Sequence, residues 1–280
     1  MTSNTISKIG LGTVQFGIPY GISNKHGQTP ETEVKLILNY AKEVGIDVLD
    51  TANAYGTSEK VLGKNDLSEF KIVSKFLLQN NQHSISQKLK ESIQNLKVNS
   101  LYGYMAHRPM EVADSPELWD QLIQLKEQGS IEKIGFSFNE VNEIENILTI
   151  GLVPDIIQVP YNYFDNRFEP YIKEFKKQGC EIHTRSAFLQ GLFFSDTKNL
   201  NAFFDDLKPV IQQLQKFGDA LPGMLLKYCI DKPFIDKVIF GVNTLSQLKN
   251  NISNLSVTNL LPLKIQTIND SILIPSKWPK

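Results

Sequence analysis

Residues 133–161 read KIGFSFNEVNEIENILTIGLVPDIIQVPY, and the fold turns on this stretch. Lys133 to Ser137 and Ile156 to Tyr161 are short runs rich in Ile, Val and Phe, while Val141 to Leu148 between them has helical periodicity. A strand, a helix and a second strand in about 30 residues make a βαβ unit, whose two strands run parallel. Working outward, the same alternation places further strands at Ile9 to Val14, Asp47 to Ala52, Lys71 to Phe76, Leu101 to His107, Glu181 to Ala187 and Lys237 to Val242. Helices are expected at Glu33 to Val44, Ser84 to Leu96, Pro116 to Glu127, Glu169 to Lys177 and Ser246 to Asn254, with Gly45, Gly129 and Gly179 as stop signals.

Eight strands alternating with about eight helices suit a closed (β/α)8 TIM barrel better than an open sheet. A chain of 280 residues allows roughly two domains by length, but one barrel of that size is enough. The expectation is therefore one domain over residues 1–280. Within it, a helical connection is inserted over about 189–236, and a tail over about 256–280 folds back as a loop.

The net charge of -1 argues against a polyanion-coating role, so no nucleic-acid partner is expected. No apolar run approaches the roughly 18 residues of a membrane span, and the N-terminus lacks a signal-peptide pattern. A cytoplasmic protein without a membrane partner is the expectation. Cys180 and Cys229 lie too far apart for a CxxC pair and read as reduced, partly buried thiols. No cluster of His, Asp or Glu has a metal spacing, so no metal is expected.

In such a barrel, function belongs at the C-terminal ends of the strands and in the loops that follow them. Asp50 comes near the end of the second strand, Tyr55 in the loop after it, Lys75 near the end of the third, and His107 at the end of the fourth. An anion, a phenol, a cation and an imidazole thus converge on one rim. A buried lysine needs a counter-charge, which Asp50 supplies. The ammonium should lower the phenol from its reference pKa of about 10, making Tyr55 a tuned general acid. His107 can hydrogen-bond a substrate oxygen and orient its carbonyl.

The run Asp50-Thr51-Ala52-Asn53-Ala54-Tyr55-Gly56-Thr57-Ser58-Glu59, with Ser74-Lys75 and His107, resembles the aldo-keto reductase superfamily, nicotinamide-dependent carbonyl reductases on a (β/α)8 barrel. The resemblance continues through Gly10 to Thr13, Ile134 to Ser137, Gln158 to Asn162 and Gly241 to Asn251. Gln158 to Arg167 and Arg185 to Leu192 are similar to bacterial members associated with surface-saccharide biosynthesis. The resemblance implies reduction of an aldehyde or ketone, with Asp50, Tyr55, Lys75 and His107 as the catalytic tetrad. It places Thr13, Ser137, Gln158 and Ser186 at the nicotinamide half of the cofactor, and Gly241 and Asn251 at the adenosine half. Arg185 stands where an aromatic ring often stacks on the nicotinamide, a contact that a planar guanidinium can also make. Phe138 replaces an Asn that often binds the carboxamide. Asn243 and Gln247 take positions where basic residues usually hold a 2′-phosphate, leaving Lys249 as the segment's cation. NADP(H) is the favoured cofactor on this resemblance, with NAD(H) as the alternative.

Two other functions compete. A nucleotide-binding, redox-sensing module with little turnover is disfavoured by the intact tetrad. A lyase forming a Schiff base at Lys75 needs a neutral lysine, which Asp50 disfavours. The stretch Gly10 to Gln15 begins like a dinucleotide fingerprint, but Gln15 stands in place of the third glycine. Phe16 and Tyr20, after the first strand, are candidates for the wall of a substrate pocket, with packing beneath the loop as the competing account. Arg108, Arg167 and Arg185 are the chain's three arginines beside 26 lysines, and all lie at or beyond strand ends. An anionic or sugar-related carbonyl substrate read by Arg108 is the sharper expectation; loop ties to Glu111 and Asp165 are the plainer one. His183 reads as a satisfied polar residue in the barrel, and His26 and His83 as exposed loop residues.

Overall fold

The computed structural model describes residues 3–78, 84–257, 261–262 and 268–279. Eight strands form in chain order: β1 (Ile9–Gly12), β2 (Val48–Asp50), β3 (Lys71–Phe76), β4 (Leu101–Ala106), β5 (Ile131–Ser137), β6 (Ile156–Pro160), β7 (Glu181–Arg185) and β8 (Lys237–Gly241). Each pairs in parallel with the next, and β8 returns to β1 with Ile9 opposite Val238 and Gly12 opposite Gly241, closing the barrel. The helices after successive strands are α1 (Glu31–Val44), α2 (Ser58–Leu62), α3 (Ile85–Leu96), α4 (Glu117–Glu127), α5 (Val141–Thr149), α6 (Glu169–Lys177), α7 (Leu221–Ile230) and α8 (Leu245–Ser253).

The apolar faces of these helices and the outward strand residues share one core, which includes Leu38, Leu49, Ile72, Leu122, Phe136 and Ile157. Val48, Val73, Met105, Ile156 and Ile239 fill the barrel interior. Gly10 is required there, since a Cβ on it would come within 2.3 Å of Ile239 Cδ1. At the opposite end to the strand C-termini, carboxylates before β6 and β8 stitch neighbouring units: Asp155 accepts from Ile134 N and Lys126, and Asp236 from Ile182 N and Lys176.

The connection from β7 to β8 carries a helix at Lys208–Gln215 before α7. The tail departs from the expected loop. It forms a helix at Asp270–Leu273 and a turn at Pro275–Lys277, and it buries Ile272 and Leu273 in a second cluster with Phe204, Leu207 and Ile211. Trp278 fastens it, its ring edge-on to Phe204 at 5.1 Å and its Nε1 donating to Ile272 O. Among the described residues, no helix is long and apolar enough to cross a membrane.

Candidate active site

Asp50 closes β2 and Lys75 lies one residue from the end of β3, so the two side chains meet where the strands end. Lys75 is fully buried and its Nζ has three acceptors: Asp50 Oδ1 at 2.6 Å, Asp50 Oδ2 at 2.8 Å and Thr51 O at 3.0 Å. Gln158, on β6, donates from Nε2 to Asp50 Oδ2 at 2.8 Å. Tyr55 stands over this pair, with Lys75 Nζ 5.3 Å from its ring centroid. Its loop is held from below by Asn53 N donating to Lys75 O, and by Ser58 Oγ donating to Thr13 O. The His107 ring meets the Tyr55 ring edge-on at 5.8 Å. All four expected rim residues are therefore brought together.

Burial alone pulls the Lys75 ammonium down, and the Asp50 carboxylate opposes it. With each of its three protons directed at an acceptor, the group stays an ammonium at neutral pH. The Tyr55 phenol is pushed well above its ordinary range by burial and by the Asp50 charge, and Arg185 pulls the other way. This corrects the expected lowering by Lys75: that cation is neutralised by its own carboxylate, so desolvation of the phenolate wins. His107 falls to about 3, through burial first and then the positive charges of Lys75, Arg185 and Arg108. It is a neutral imidazole at any physiological pH, and its buried Nδ1 has no hydrogen-bond partner.

Above this floor opens a cleft of about 910 Å³. The β1 loop walls one side with Tyr20 and Lys25, and the β7 loop the other with Arg185, Ser186 and Gln190. The two loops touch, Ile22 N donating to Gln190 O at 3.0 Å and Gln190 Nε2 to the Tyr20 hydroxyl at 3.1 Å. Arg185 Nη2 donates to Phe138 O and to Asn139 Oδ1, and among the described residues no carboxylate pairs with the guanidinium. The far end is built by β8 and the start of α8, where Gly241, Asn243, Gln247 and Asn251 line the cleft. The Gln15 amide packs directly on Gly241, where a Cβ would lie 2.3 Å from Gln15 Oε1. Gln15 Oε1 and Asn243 Oδ1 are buried acceptors without a partner.

Thr13, Tyr20 and the expected β7, β8 and α8 residues thus face the cleft. Several expectations need correction. Phe16 does not wall it, because the helical turn Val14–Gly17 rotates this ring into the core, where it is fully buried. Ser137 and Gln158 are buried and lie off the lining; Gln158 Nε2 donates to Asp50, while its Oε1 is a buried acceptor without a partner. Arg108 is exposed at the start of helix Pro109–Ala113 and also lies off the lining. Arg167 grips Asp165 through two hydrogen bonds, as the plainer account has it, and His183 pairs with Glu181 at 2.6 Å. Lys249 sits 5.3 Å from the Tyr40 ring centroid and off the cleft lining. His26 is exposed, while His83 lies outside the described residues. The sequence reading passed over Gln15, Asn139 and Asp219, all of which line the cleft. Gln15 alone carried a signal, as the residue that spoils the glycine fingerprint.

The aldo/keto reductase family profile matches residues 8–272. The oxidoreductase sirO of Leptosphaeria maculans is 27% identical over 69% of this chain and 63% of that protein. The aldo-keto reductase YhdN of Bacillus subtilis is 24% identical over 87% of this chain and 83% of that one. Among solved structures, the holo form of aldo-keto reductase AKR11C1 from Bacillus halodurans superposes with a TM-score of 0.68 at 21% identity, covering 90% of this chain and 88% of that chain. The likeness to that structure is one of fold.

Proposed function

The chain belongs to the aldo/keto reductase family, and we propose that it reduces an aldehyde or ketone to the alcohol, with a nicotinamide dinucleotide as the hydride source. The observation that carries this reading is the Tyr55 phenol standing over the buried Lys75–Asp50 pair and beside a neutral His107, on the floor of a cleft. A dinucleotide fits the cleft chemically. Its volume of about 910 Å³ is in the upper range for small-molecule sites, and buried acceptors such as Gln15 Oε1 call for donors from a ligand. Thr13, Arg185 and Ser186 would hold the reactive half, and Gly241, Asn243, Gln247 and Asn251 the other; Ser137 and Gln158 support the floor from beneath.

When bound, the reduced nicotinamide supplies hydride to the carbonyl carbon. His107, being neutral, donates an N–H to the carbonyl oxygen and so fixes its position above the floor. As the C–H bond forms, the C=O π pair moves onto oxygen, and Tyr55 releases its hydroxyl proton to that oxygen. A phenol raised above its ordinary range holds its proton until an alkoxide, a stronger base, develops beside it. The phenolate left behind faces the Lys75 ammonium, which Asp50 and Gln158 keep in place. The Schiff-base alternative is disfavoured by the same geometry, since an ammonium with three acceptors has no lone pair to attack with. The substrate's charge would be read by Arg185 and not by Arg108, since the first guanidinium lines the cleft without a carboxylate partner and the second lies off the lining. That supports an anionic carbonyl compound.

The decisive experiment is Tyr55→Phe, which keeps the ring and removes the proton donor. Turnover should fall by about a hundredfold or more, with dinucleotide affinity nearly unchanged by calorimetry. A variant retaining half of the unaltered turnover, with chemistry shown to limit the rate, would sink the assignment.

A further inference from the structure

Resting on the nicotinamide reading above, we infer that the cleft takes NAD(H), with a free ribose 2′-hydroxyl, in preference to NADP(H). Hydride has to reach the carbon whose oxygen Tyr55 protonates, so the nicotinamide lies at the Tyr55 end. A dinucleotide is an extended molecule, and its adenosine half then reaches the opposite end, at β8 and the start of α8.

A 2′-phosphate has a second pKa of about 6 and is nearly a dianion at pH 8, so it needs cations or N–H donors. That end offers few. Among the described residues, the lysine and arginine lining the cleft are Lys25, in the loop after β1, and Arg185, at the end of β7, while Lys249 of α8 is turned to Tyr40. Three of the backbone donors around this helix start are taken by the protein's own acceptors. Asn243 N donates to Gln247 Oε1 at 2.8 Å, Leu245 N to Glu33 Oε1 at 2.6 Å and Gln247 N to Thr244 Oγ1 at 3.1 Å. Glu33 therefore puts a carboxylate at the start of α8, beside the cleft lining, and Asp219 adds an acidic residue to the lining itself. Asn243 Oδ1 points to the same ligand independently: it is a buried acceptor without a partner, which a hydroxyl or amino group can satisfy and a phosphate dianion cannot.

The test is calorimetric titration of the purified protein with NADH and NADPH at pH 8, repeated with Glu33→Gln. The amide keeps an acceptor for Leu245 N and removes only the charge. The expected result is at least about tenfold tighter binding of NADH, equivalent to about 1.4 kcal/mol. Glu33→Gln should then tighten NADPH by about threefold, within the range of a partly exposed charge contact, and leave NADH within error. Equal or tighter binding of NADPH by the unaltered protein overturns the preference while leaving the reductase reading standing. A Glu33→Gln shift that is the same for both dinucleotides overturns Glu33's part in it. Binding of neither dinucleotide removes the reductase reading and the preference together.

Discussion

The barrel carries a carboxylate with closely similar partners at each of its ends, Asp50 buried and Glu181 half-buried. Asp50, at the C-terminal end, accepts from Lys75 twice and from Gln158. Glu181, at the N-terminal end, accepts from His183, Lys133 and the Tyr102 hydroxyl. Each is a carboxylate compensated by a lysine and by polar side chains. What separates them is how the phenol and the imidazole are used: Tyr102 and His183 bond Glu181 itself, whereas Tyr55 and His107 stand over the Asp50 pair and line an open cleft. A charged pair in a barrel interior is thus by itself a solution to burying charge. It becomes a catalytic device when a proton donor is placed against it within reach of a ligand.

If that distinction holds, Lys75→Met should damage two properties at once. It strands a buried carboxylate, which costs about 3–5 kcal/mol of stability, and turnover should fall by about a hundredfold or more. Denaturant melts and steady-state rates measure the two. Unchanged turnover in a folded Lys75→Met protein would break the comparison. Glu181→Gln should lower stability by about 1–3 kcal/mol and leave kcat and KM alone; a rate loss at that end would erase the difference between the two sites.

The smallest effect is on pH dependence. Burial would raise the Glu181 pKa, but its bonds from His183, Lys133 and Tyr102 hold it well below the usual carboxylate range. Its stabilisation is present above the unfolded value of about 4.3 and is lost as pH falls below it. His107, lowered to about 3, is neutral when folded and protonated when unfolded between about 6.5 and 3, so it also costs stability as pH falls. Thermal melts between pH 6.5 and 5 should therefore already decline, with His107→Asn flattening that portion and Glu181→Gln leaving it. Ring signals of His107 that titrate near pH 6.5 would contradict its neutral state.

The strands and the four rim residues were legible in the sequence because each follows from a local signal: a short β-branched run, with a polar residue at its end. The sequence left Phe16 open between pocket wall and packing beneath the loop, because burial of a loop ring is decided by the turn Val14–Gly17 and by what packs over it, neither of which has a sequence period. The tail was misread for a related reason. A four-residue helix at Asp270–Leu273 is too short to show periodicity, and its partners Phe204 and Ile211 lie far away in the chain. Gln158 matched a ligand-binding pattern, and its bond from Nε2 to Asp50 across the barrel was not legible, since only closure of the sheet defines that distance. Gln15 looked like a defect in a glycine motif until its side chain met Gly241.

That meeting depends on the pairing of the first strand with the last, Gly12 opposite Gly241. A growing chain emerging from the ribosome cannot make it until β8 has been synthesised, and pairing across so much sequence is a slow step in folding. The floor strands β2 to β4 come early, whereas the far end of the cleft exists only in the closed barrel. A dinucleotide that needs both ends can bind only the finished protein, and by mass action it would draw the population of late, still-open chains towards closure. The cofactor would then act, besides its chemistry, as a reporter of complete folding.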